Sequence, residues 1–423
     1  MSGIVLLNGD DFYCPAERRP AGPVIISTMG ASRSMSFFLN LGHTLDHLLM
    51  LIFPTVVLAM GAELGRGYAD LLPLSLGGFI AFGAFSIPAG WLADRWSRHG
   101  MMVVFFFGIG TASILTGFAT GPVHIALGLT LVGVFAAIYH PVGIAMLVAN
   151  RENVGRVLGV NGVFGNVGVA FSALIAGALA DIVGWRAAFI VPGAIALGVG
   201  AAFVLFAREA QGGTAARRSG FYKASRADLA RVFAVLTVAT ACGGVIFNAT
   251  TISMPKVFDE RLSALTHSTF GIGMLVCGVY LIAAMAQLCV GWWLDRRSLK
   301  SVFVPVVALQ VPLLALAGTT ESYLMLATAV AMMFFVFGQI PINDAMIARY
   351  TAEEWRARAY AVRYVVSFGA SALAVPLVAW VYRSSGDFKL LYYLLGTLAF
   401  VTFTAALLFP AEEEKAAAKE MAA

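Results

Sequence analysis

The chain has 423 residues, of which 60% are hydrophobic and 12% charged, whereas an average soluble domain has about 25% charged residues. A water-soluble fold cannot hide that much apolar surface, so the expected solvent is lipid. The net charge is +5, and the Lys and Arg residues lie mostly in every second loop between the apolar segments. That distribution is typical of a membrane protein and argues against nucleic acid as a partner. The four cysteines have no paired spacing and predict neither a disulfide framework nor a zinc site.

Twelve apolar segments are each long enough to cross a bilayer, which takes about 20 mainly apolar residues in a helix. The predicted spans are 35–61, 69–93, 101–120, 123–149, 155–181, 186–207, 229–254, 269–294, 301–319, 322–348, 357–382 and 388–409. The predicted domains are a cytoplasmic tail over 1–34, a six-helix bundle over 35–207, a cytoplasmic linker over 208–228, a second six-helix bundle over 229–409 and a cytoplasmic tail over 410–423. The first tail lacks the apolar core and cleavage site of a signal peptide.

The basic residues predict the orientation, because short cytoplasmic loops carry an excess of Lys and Arg. With the N-terminus inside, the outer loops hold few of the 28 Lys and Arg residues, namely Arg66, Arg186, Lys256, Arg261, Arg383 and Lys389. We therefore expect a multi-pass protein of the cell (inner) membrane with both termini in the cytoplasm. Its expected partners are the lipid bilayer and a small-molecule substrate, and the chain is expected to be a monomer.

One charged motif occurs twice, half the chain apart. Residues 90–98 read GWLADRWSR after span 2, and residues 291–299 read GWWLDRRSL after span 8. Each copy follows one apolar stretch and precedes another. The repetition indicates two parallel bundles related by an axis along the membrane normal, as in many secondary transporters.

Further pairs of residues repeat at nearly the same offset. Pro141 in span 4 recurs as Pro341 in span 10, and an Ala-Met pair begins four residues after each, at Ala145 and Ala345. Pro54 and Pro255 are predicted to end spans 1 and 7. The duplication therefore extends well beyond the charged loops.

The duplicated loop resembles the signature loop of the major facilitator superfamily, and Gly184-Trp185-Arg186 is a further mark of that superfamily. The resemblance covers about residues 36–409. It implies an all-α membrane protein with twelve transmembrane helices in two pseudo-symmetric six-helix bundles, the major facilitator fold. It also implies that spans 1, 4, 7 and 10 line a central cavity. Both loops depart from the family pattern, since Ser97 and Ser298 stand where the family usually has glycine.

Three further segments resemble the fosmidomycin-resistance branch of drug exporters. They are Gly42-His43 with Asp46 in span 1, Tyr139-His140-Pro141 in span 4 and Gly165-Asn166-Val-Gly168 in span 5. Span 5 lacks the Gly-Pro pair typical of drug/proton antiporters, so uptake stays open as the alternative direction of transport.

Asp46 is the acidic residue expected deep inside a span, near the centre of span 1. An ionised carboxylate there costs about 2.5–3.5 kcal/mol on insertion scales, so it must be protonated, paired or facing water. A carboxyl that alternates between protonated and charged forms is what proton coupling requires. The competing interpretation is a structural Asp held by a neighbouring helix.

Three histidines are expected close to this carboxyl. His43 and His47 share one face of span 1 with Asn40, and His140 lies in span 4, which the resemblance places on the same cavity. A histidine can pair with Asp46 and tune proton binding near neutral pH. Alternatively, the histidines and Asp46 bind a transition metal, for which imidazole and carboxylate are suitable ligands. Proton coupling through Asp46, His43 and His47 is the favoured hypothesis, with no metal and no cofactor, and interhelical hydrogen bonds remain the structural alternative.

Five polar residues are candidates for contact with the substrate: Asn40, His140, Asn166, Asn248 and Arg363. Arg363 is the basic residue placed inside a span and can attract an anionic group. Equally, it can extend to the cytoplasmic face and pair with Asp344. The asparagines can equally join neighbouring helices.

The charged loops are expected to form a cytoplasmic gate. Asp94 and Asp295 are predicted to lie near helix N-termini of the opposite bundle, where the helix dipole favours an anion. Arg95 and Arg296 are expected to pair with acidic groups, and Glu152 and Asp344 are the candidates. Gly90 and Gly291 are expected to allow close packing of spans 2 and 8, and Arg98 completes the charged set.

The sequence has no phosphate-binding loop, so an ATP-driven pump is not expected. It also has no Ser/His/Asp motif, so an enzyme is not expected. The favoured function is secondary active transport by alternating access, as proton-coupled efflux of a small organic compound. The alternatives are export of a transition-metal ion through the His/Asp site and proton-coupled uptake of a small organic anion.

Overall fold

The computed structural model describes residues 23–149, 154–207, 225–351 and 353–410, and within these ranges the chain is helical and has no strand. The α-helices are α1 Pro23–Leu51, α2 Phe53–Leu64, α3 Tyr68–Leu71, α4 Leu76–Ala84, α5 Ser86–Arg95, α6 Arg98–Gly117, α7 Pro122–Ala136, α8 Ile144–Val148, α9 Val154–Ile182, α10 Ala187–Phe206, α11 Arg226–Arg261, α12 Thr269–Leu294, α13 Leu299–Ala317, α14 Ser322–Tyr350, α15 Glu353–Ala372, α16 Ala374–Ser385 and α17 Lys389–Leu407. Glu152 and most of the predicted linker and tails lie outside the described residues.

Eleven helical segments of the described chain are long and apolar enough to cross a membrane. The pair Tyr68–Ala84 and Ser86–Arg95, bent by 40°, supplies a twelfth span. Span 1 is α1–α2, span 2 is α3–α5, span 4 is α7–α8, span 11 is α15–α16, and each remaining span is a single helix. The number of spans therefore agrees with the twelve predicted from hydropathy, while the division into domains stays a prediction.

The two prolines predicted to end spans 1 and 7 do not end them. Pro54 lies in the first turn of α2, where its missing N–H has no helical partner to lose, and span 1 runs on to Leu64. Pro255 lies inside α11, which continues to Arg261. The carbonyl of Thr251, left without its helical donor by Pro255, accepts a hydrogen bond of 3.2 Å from the Tyr280 hydroxyl of span 8.

The first six spans pack mainly on one another, and so do the last six. The two largest seams between these halves are those of span 5 with span 8 and of span 2 with span 11. At the 5/8 seam the backbones touch, because a Cβ on Gly177 would lie 2.3 Å from the Thr269 carbonyl oxygen, and one on Gly273 would lie 2.4 Å from the Ala173 oxygen. Only glycine permits such an approach at these two positions.

Polar contacts join the two halves on the face opposite the charged loops. At the 2/11 seam Arg383 donates to the Asp70 carboxylate and to the Ala69 carbonyl, both at 2.8 Å. At the 5/8 seam the Asp181 carboxylate accepts a hydrogen bond of 2.7 Å from the backbone N–H of Phe270, in the first turn of α12. An anion at a helix N-terminus is favoured by the helix dipole. The halves are therefore held together at this end of the molecule.

Candidate functional site

Asp46 lies in α1 with 0% of its surface exposed. Neither carboxylate oxygen has a hydrogen-bond partner among the described residues. Its neighbour is His140 of span 4, whose Nε2 lies 3.5 Å from the Asp46 Oδ2 atom. A buried carboxylate without hydrogen bonds is costly, so this group needs a proton or a cation close by.

The three predicted histidines meet beside this carboxyl. His43 and His47 are one helical turn apart, and their Nε2 atoms are 3.1 Å from each other. The His140 ring lies 5.3 Å from the ring of His43 and 5.5 Å from that of His47. His140 belongs to a turn of π-helix over Tyr139–Gly143, a local distortion that occurs often at functional sites. The structure thus brings His43, Asp46, His47 and His140 together.

Sequence reasoning missed Asn161, the residue that connects spans 1, 4 and 5. Its side-chain amide donates to the Asn40 Oδ1 atom at 2.9 Å and to the Tyr139 hydroxyl at 2.8 Å. Its backbone carbonyl accepts a hydrogen bond of 2.8 Å from His43 Nδ1. With Nδ1 protonated, neutral His43 presents Nε2 as an acceptor, and His47 is then the donor between the two rings. An asparagine in an apolar span was the available signal.

The glycines of span 5 explain how span 1 can approach so closely. A Cβ on Gly165 would lie 2.6 Å from Cε1 of His43, and one on Gly168 would lie 2.3 Å from the Thr44 carbonyl oxygen. The segment that resembles the fosmidomycin-resistance branch therefore has a packing role here. Asn166 between them is buried, and its Nδ2 has no hydrogen-bond partner within the part of the chain that the structure describes.

The candidates of the second half make interhelical contacts. Asn248 of span 7 donates to the Ser371 hydroxyl of span 11 at 2.7 Å. Arg363 of span 11 forms an ion pair with Asp344 of span 10, the interpretation that the sequence left open beside substrate binding. Asp344 is therefore engaged inside the second half rather than with an arginine of the charged loops.

In this conformation Asp94, Arg95 and Arg296 of the charged loops contact residues of their own copy of the motif, and among the described residues no ion pair joins them to the opposite half. Asp94 pairs with Arg98 at 2.7 Å, and its side chain is 66% exposed. The guanidinium of Arg95 lies 4.0 Å from the ring centroid of Trp91, and that of Arg296 lies 4.1 Å from that of Trp292. Each of these arginines thus stacks on the tryptophan four residues before it, while the gate between the two halves stays a prediction.

The two motif glycines differ in their surroundings. A Cβ on Gly90 would lie 3.2 Å from Cβ of Pro141, so Gly90 allows span 2 to pack closely on span 4. A Cβ on Gly291 would meet no atom within 4 Å. Asp295 ends α12 as its C-terminal cap residue, so it lies at the end of its own helix in this conformation.

The Gly-Trp-Arg segment before span 6 has a structural role. Gly184 adopts φ of 115°, a backbone conformation that glycine tolerates and other residues rarely adopt. The turn directs the Trp185 indole N–H to Glu63 at 2.7 Å and the Arg186 guanidinium to the same carboxylate at 2.8 Å. The start of span 6 is thereby fixed to the end of span 1.

The three imidazoles are also the described residues that could hold a metal ion. One ligand atom from each of His43, His47 and His140 lies within 4.8 Å of the others. Imidazole suits zinc, copper, nickel and iron, and second-shell hydrogen bonds such as that from His43 to Asn161 are typical of metal sites. The same geometry suits a hydrogen-bonded chain that carries protons, because the His43 and His47 nitrogens are already at hydrogen-bond distance.

Curated relatives are transporters or resistance proteins by name. The chain is 32% identical to the puromycin resistance protein pur8 of Streptomyces alboniger over 210 residues, which is 49% of this chain and 37% of the relative. It is 30% identical to the Probable sulfoacetate transporter SauU of Cupriavidus necator over 36% of this chain and 37% of the relative. It is 28% identical to the Probable actinorhodin transporter of Streptomyces coelicolor over 35% of this chain and 27% of the relative. The chain thus spans about a third of the length of these relatives, which leave the fosmidomycin-resistance branch a prediction.

A solved structure and a family model cover nearly the whole chain. A crystal structure of a bacterial homolog of the human lysosomal transporter Spinster superposes with a TM-score of 0.70 at 14% identity, over 90% of this chain and 95% of the other. The model of the Major Facilitator Superfamily matches residues 36–279 and 260–423. These matches confirm the predicted twelve-helix fold and indicate a transporter rather than an enzyme. The chain belongs to the Major Facilitator Superfamily.

Proposed function

We propose that this protein is a secondary active transporter that exports a small organic compound in exchange for protons by alternating access. The observation that carries the proposal is the carboxyl of Asp46, fully buried in span 1 and 3.5 Å from His140. A carboxyl in that position is stable when it carries a proton or when the imidazole beside it is a cation. Each change of conformation that admits water can therefore load or release a proton.

The orientation assigns the closed end of the molecule to the outside. The charged loops lie on the side whose loops and tails hold most of the Lys and Arg residues, so the positive-inside rule assigns that side, with both termini, to the cytoplasm. The contacts of Arg383 with Asp70 and of Asp181 with Phe270 then close the outer side. In this arrangement the conformation is closed to the outside, a state in which an exporter collects its substrate and an importer releases it, so the direction of transport rests on the relatives.

The substrate class rests on the relatives. Two of them are named for puromycin resistance and for actinorhodin transport, which favours export of organic compounds. The third is named for sulfoacetate transport, which keeps uptake of a small organic anion as the alternative. Because function lies in sites on a shared fold, the fold itself does not choose between them.

The cluster of three imidazoles favours a second candidate function, export of a transition-metal ion. Against it, the Nε2 atoms of His43 and His47 are already at hydrogen-bond distance, 3.1 Å, so an ion would have to replace that bond. We therefore keep proton exchange as the proposal and treat metal binding as its rival.

The test has two stages. A strain lacking the protein is first compared with its parent on puromycin, actinorhodin-like pigments, sulfoacetate and zinc salts to find a transported compound. That compound is then followed in proteoliposomes with an imposed proton gradient. Asp46→Asn should abolish accumulation against the gradient and leave exchange at equal concentrations less affected, because asparagine cannot carry the proton. Glu321→Gln, at the exposed start of span 10, is the control. Accumulation by the Asp46 variant would exclude Asp46 as the coupling site.

A further inference from the structure

Two phenylalanine rings, one from span 2 and one from span 11, lie against the His140 ring. Phe82 of span 2 and Phe368 of span 11 lie 4.4 Å apart, measured between ring centroids. The His140 ring lies 5.7 Å from Phe82 and 5.3 Å from Phe368. These separations are those of favourable aromatic pairs. Phe368 belongs to the second half of the molecule, whereas His140, Phe82 and Asp46 belong to the first.

The neighbouring backbone accommodates the Phe368 ring. A Cβ on Gly83 would lie 3.3 Å from Cβ of Phe368, so a larger residue there would push span 11 away. His140 also lies against the rings of His43 and Tyr139, with centroids at 5.3 and 5.6 Å. As a result His140 is only 8% exposed, and Asp46 behind it is not exposed at all.

This arrangement has a direct consequence for proton exchange. Coupling requires that water reach the proton site from one side at a time, because simultaneous access from both sides dissipates the gradient. Water is the proton's route to a carboxyl in an apolar interior. Since Phe368 is carried by the opposite half, any movement that parts spans 2 and 11 also withdraws its ring from His140.

We propose that Phe368, together with Phe82, seals the Asp46–His140 pair from water and releases it when the halves part at the 2/11 seam. The proposal rests on the proposed function and adds to it the residue that links conformation to proton access. Phe368 acts through His140 and does not itself carry a proton, so it is a positioning residue. Neither phenylalanine is among the site residues expected from the sequence.

The first experiment measures water access without any transport. In a variant in which all native cysteines are replaced by serine, His140→Cys reports access through its reaction with a membrane-permeant, water-soluble thiol reagent. Adding Phe368→Ala should raise the labelling rate roughly tenfold, because it removes the Phe82–Phe368 ring contact that is intact in this variant, and loss of one aromatic contact shifts a local opening equilibrium by about that factor. Phe368→Leu keeps most of the volume and should give a smaller increase. Trp380→Ala, a lipid-facing aromatic on the same span, is the matched control.

The second experiment measures proton leak in proteoliposomes that contain the otherwise unchanged protein and no substrate. Phe368→Ala should leak protons faster than the wild type, and Asp46→Asn in the same chain should remove the extra leak. Faster labelling without a leak supports the seal and refutes proton exchange at Asp46. Unchanged labelling in both Phe368→Ala and Phe368→Leu, in protein that remains monodisperse, overturns the seal.

Discussion

Gly165→Ala tests whether the position of the His43 ring matters. The added Cβ would lie 2.6 Å from Cε1 and 2.7 Å from Nε2 of His43, whereas ordinary contact begins at 3.4 Å. The ring must therefore retreat by about 0.8 Å, and it cannot do so freely because it is bonded to Asn161 and stacked on Tyr139 with centroids 4.8 Å apart. A shift of that size weakens the 2.8 Å bond to the Asn161 carbonyl.

The expected cost is about 1–3 kcal/mol for overpacking, partly offset by the roughly 0.5–1 kcal/mol that alanine gains over glycine inside a helix. We expect transport to fall about tenfold or more, because small displacements of reacting groups reduce rates steeply. The matched control is Gly159→Ala on the same helix, where a Cβ meets nothing within 4 Å. Thermal unfolding in detergent and proton-driven uptake into proteoliposomes measure the two effects. If Gly165→Ala matches Gly159→Ala in both assays, the position of the His43 ring is not important for transport.

Three further predictions concern the closed outer end, the metal rival and the topology. Arg383→Asp should shift the molecule toward the outward-open state, seen as faster labelling of cysteines introduced near the outer ends of spans 2 and 11. Adding Asp70→Arg should restore the closed state, and no shift would exclude the ion pair as a latch. We expect no metal binding, so micromolar zinc, cobalt or nickel should leave the melting temperature of the purified protein unchanged, because a ligand stabilises a fold only by binding it. A clear shift for one metal, lost in His140→Ala, would instead support the metal exporter. A reporter fused after Phe206 should report the cytoplasm and one after Asp181 the outside, and the opposite result would overturn the proposed orientation.

Hydropathy and the duplicated motif predicted the number of spans and the family, because bilayer thickness and internal duplication leave direct marks in sequence. The endings of spans 1 and 7 were not predictable in the same way. Pro255 looks like a helix terminator on its own, and only span 8, which supplies the Tyr280 hydroxyl, explains why the helix continues. The sequence of span 7 shows the proline but not the hydroxyl of another span that satisfies the carbonyl the proline leaves free.

The residues of the site also divide into those that one segment of sequence reveals and those that depend on a neighbouring span. Asp46 and its histidines were found because an acid in an apolar span is costly and therefore conspicuous. Asn161 and Phe368 were missed, since asparagine is a common interhelical contact and phenylalanine is abundant in a chain with 31 of them. Their importance depends on which spans face each other, and no local pattern contains that information.

The 5/8 and 2/11 seams are built differently, so we expect one to stay fixed during transport and the other to open. Along the 5/8 seam Gly177 and Gly273 bring backbone against backbone, and such contact leaves little freedom to slide. Along the 2/11 seam the ion pair of Arg383 with Asp70 and the ring contact of Phe368 with Phe82 are made between side chains, which can separate and meet again. We expect the two halves to rotate as rigid bodies about the 5/8 seam. The opening to the outside would then lie at the 2/11 seam, beside His140, so that the proton and the substrate would use the same pathway.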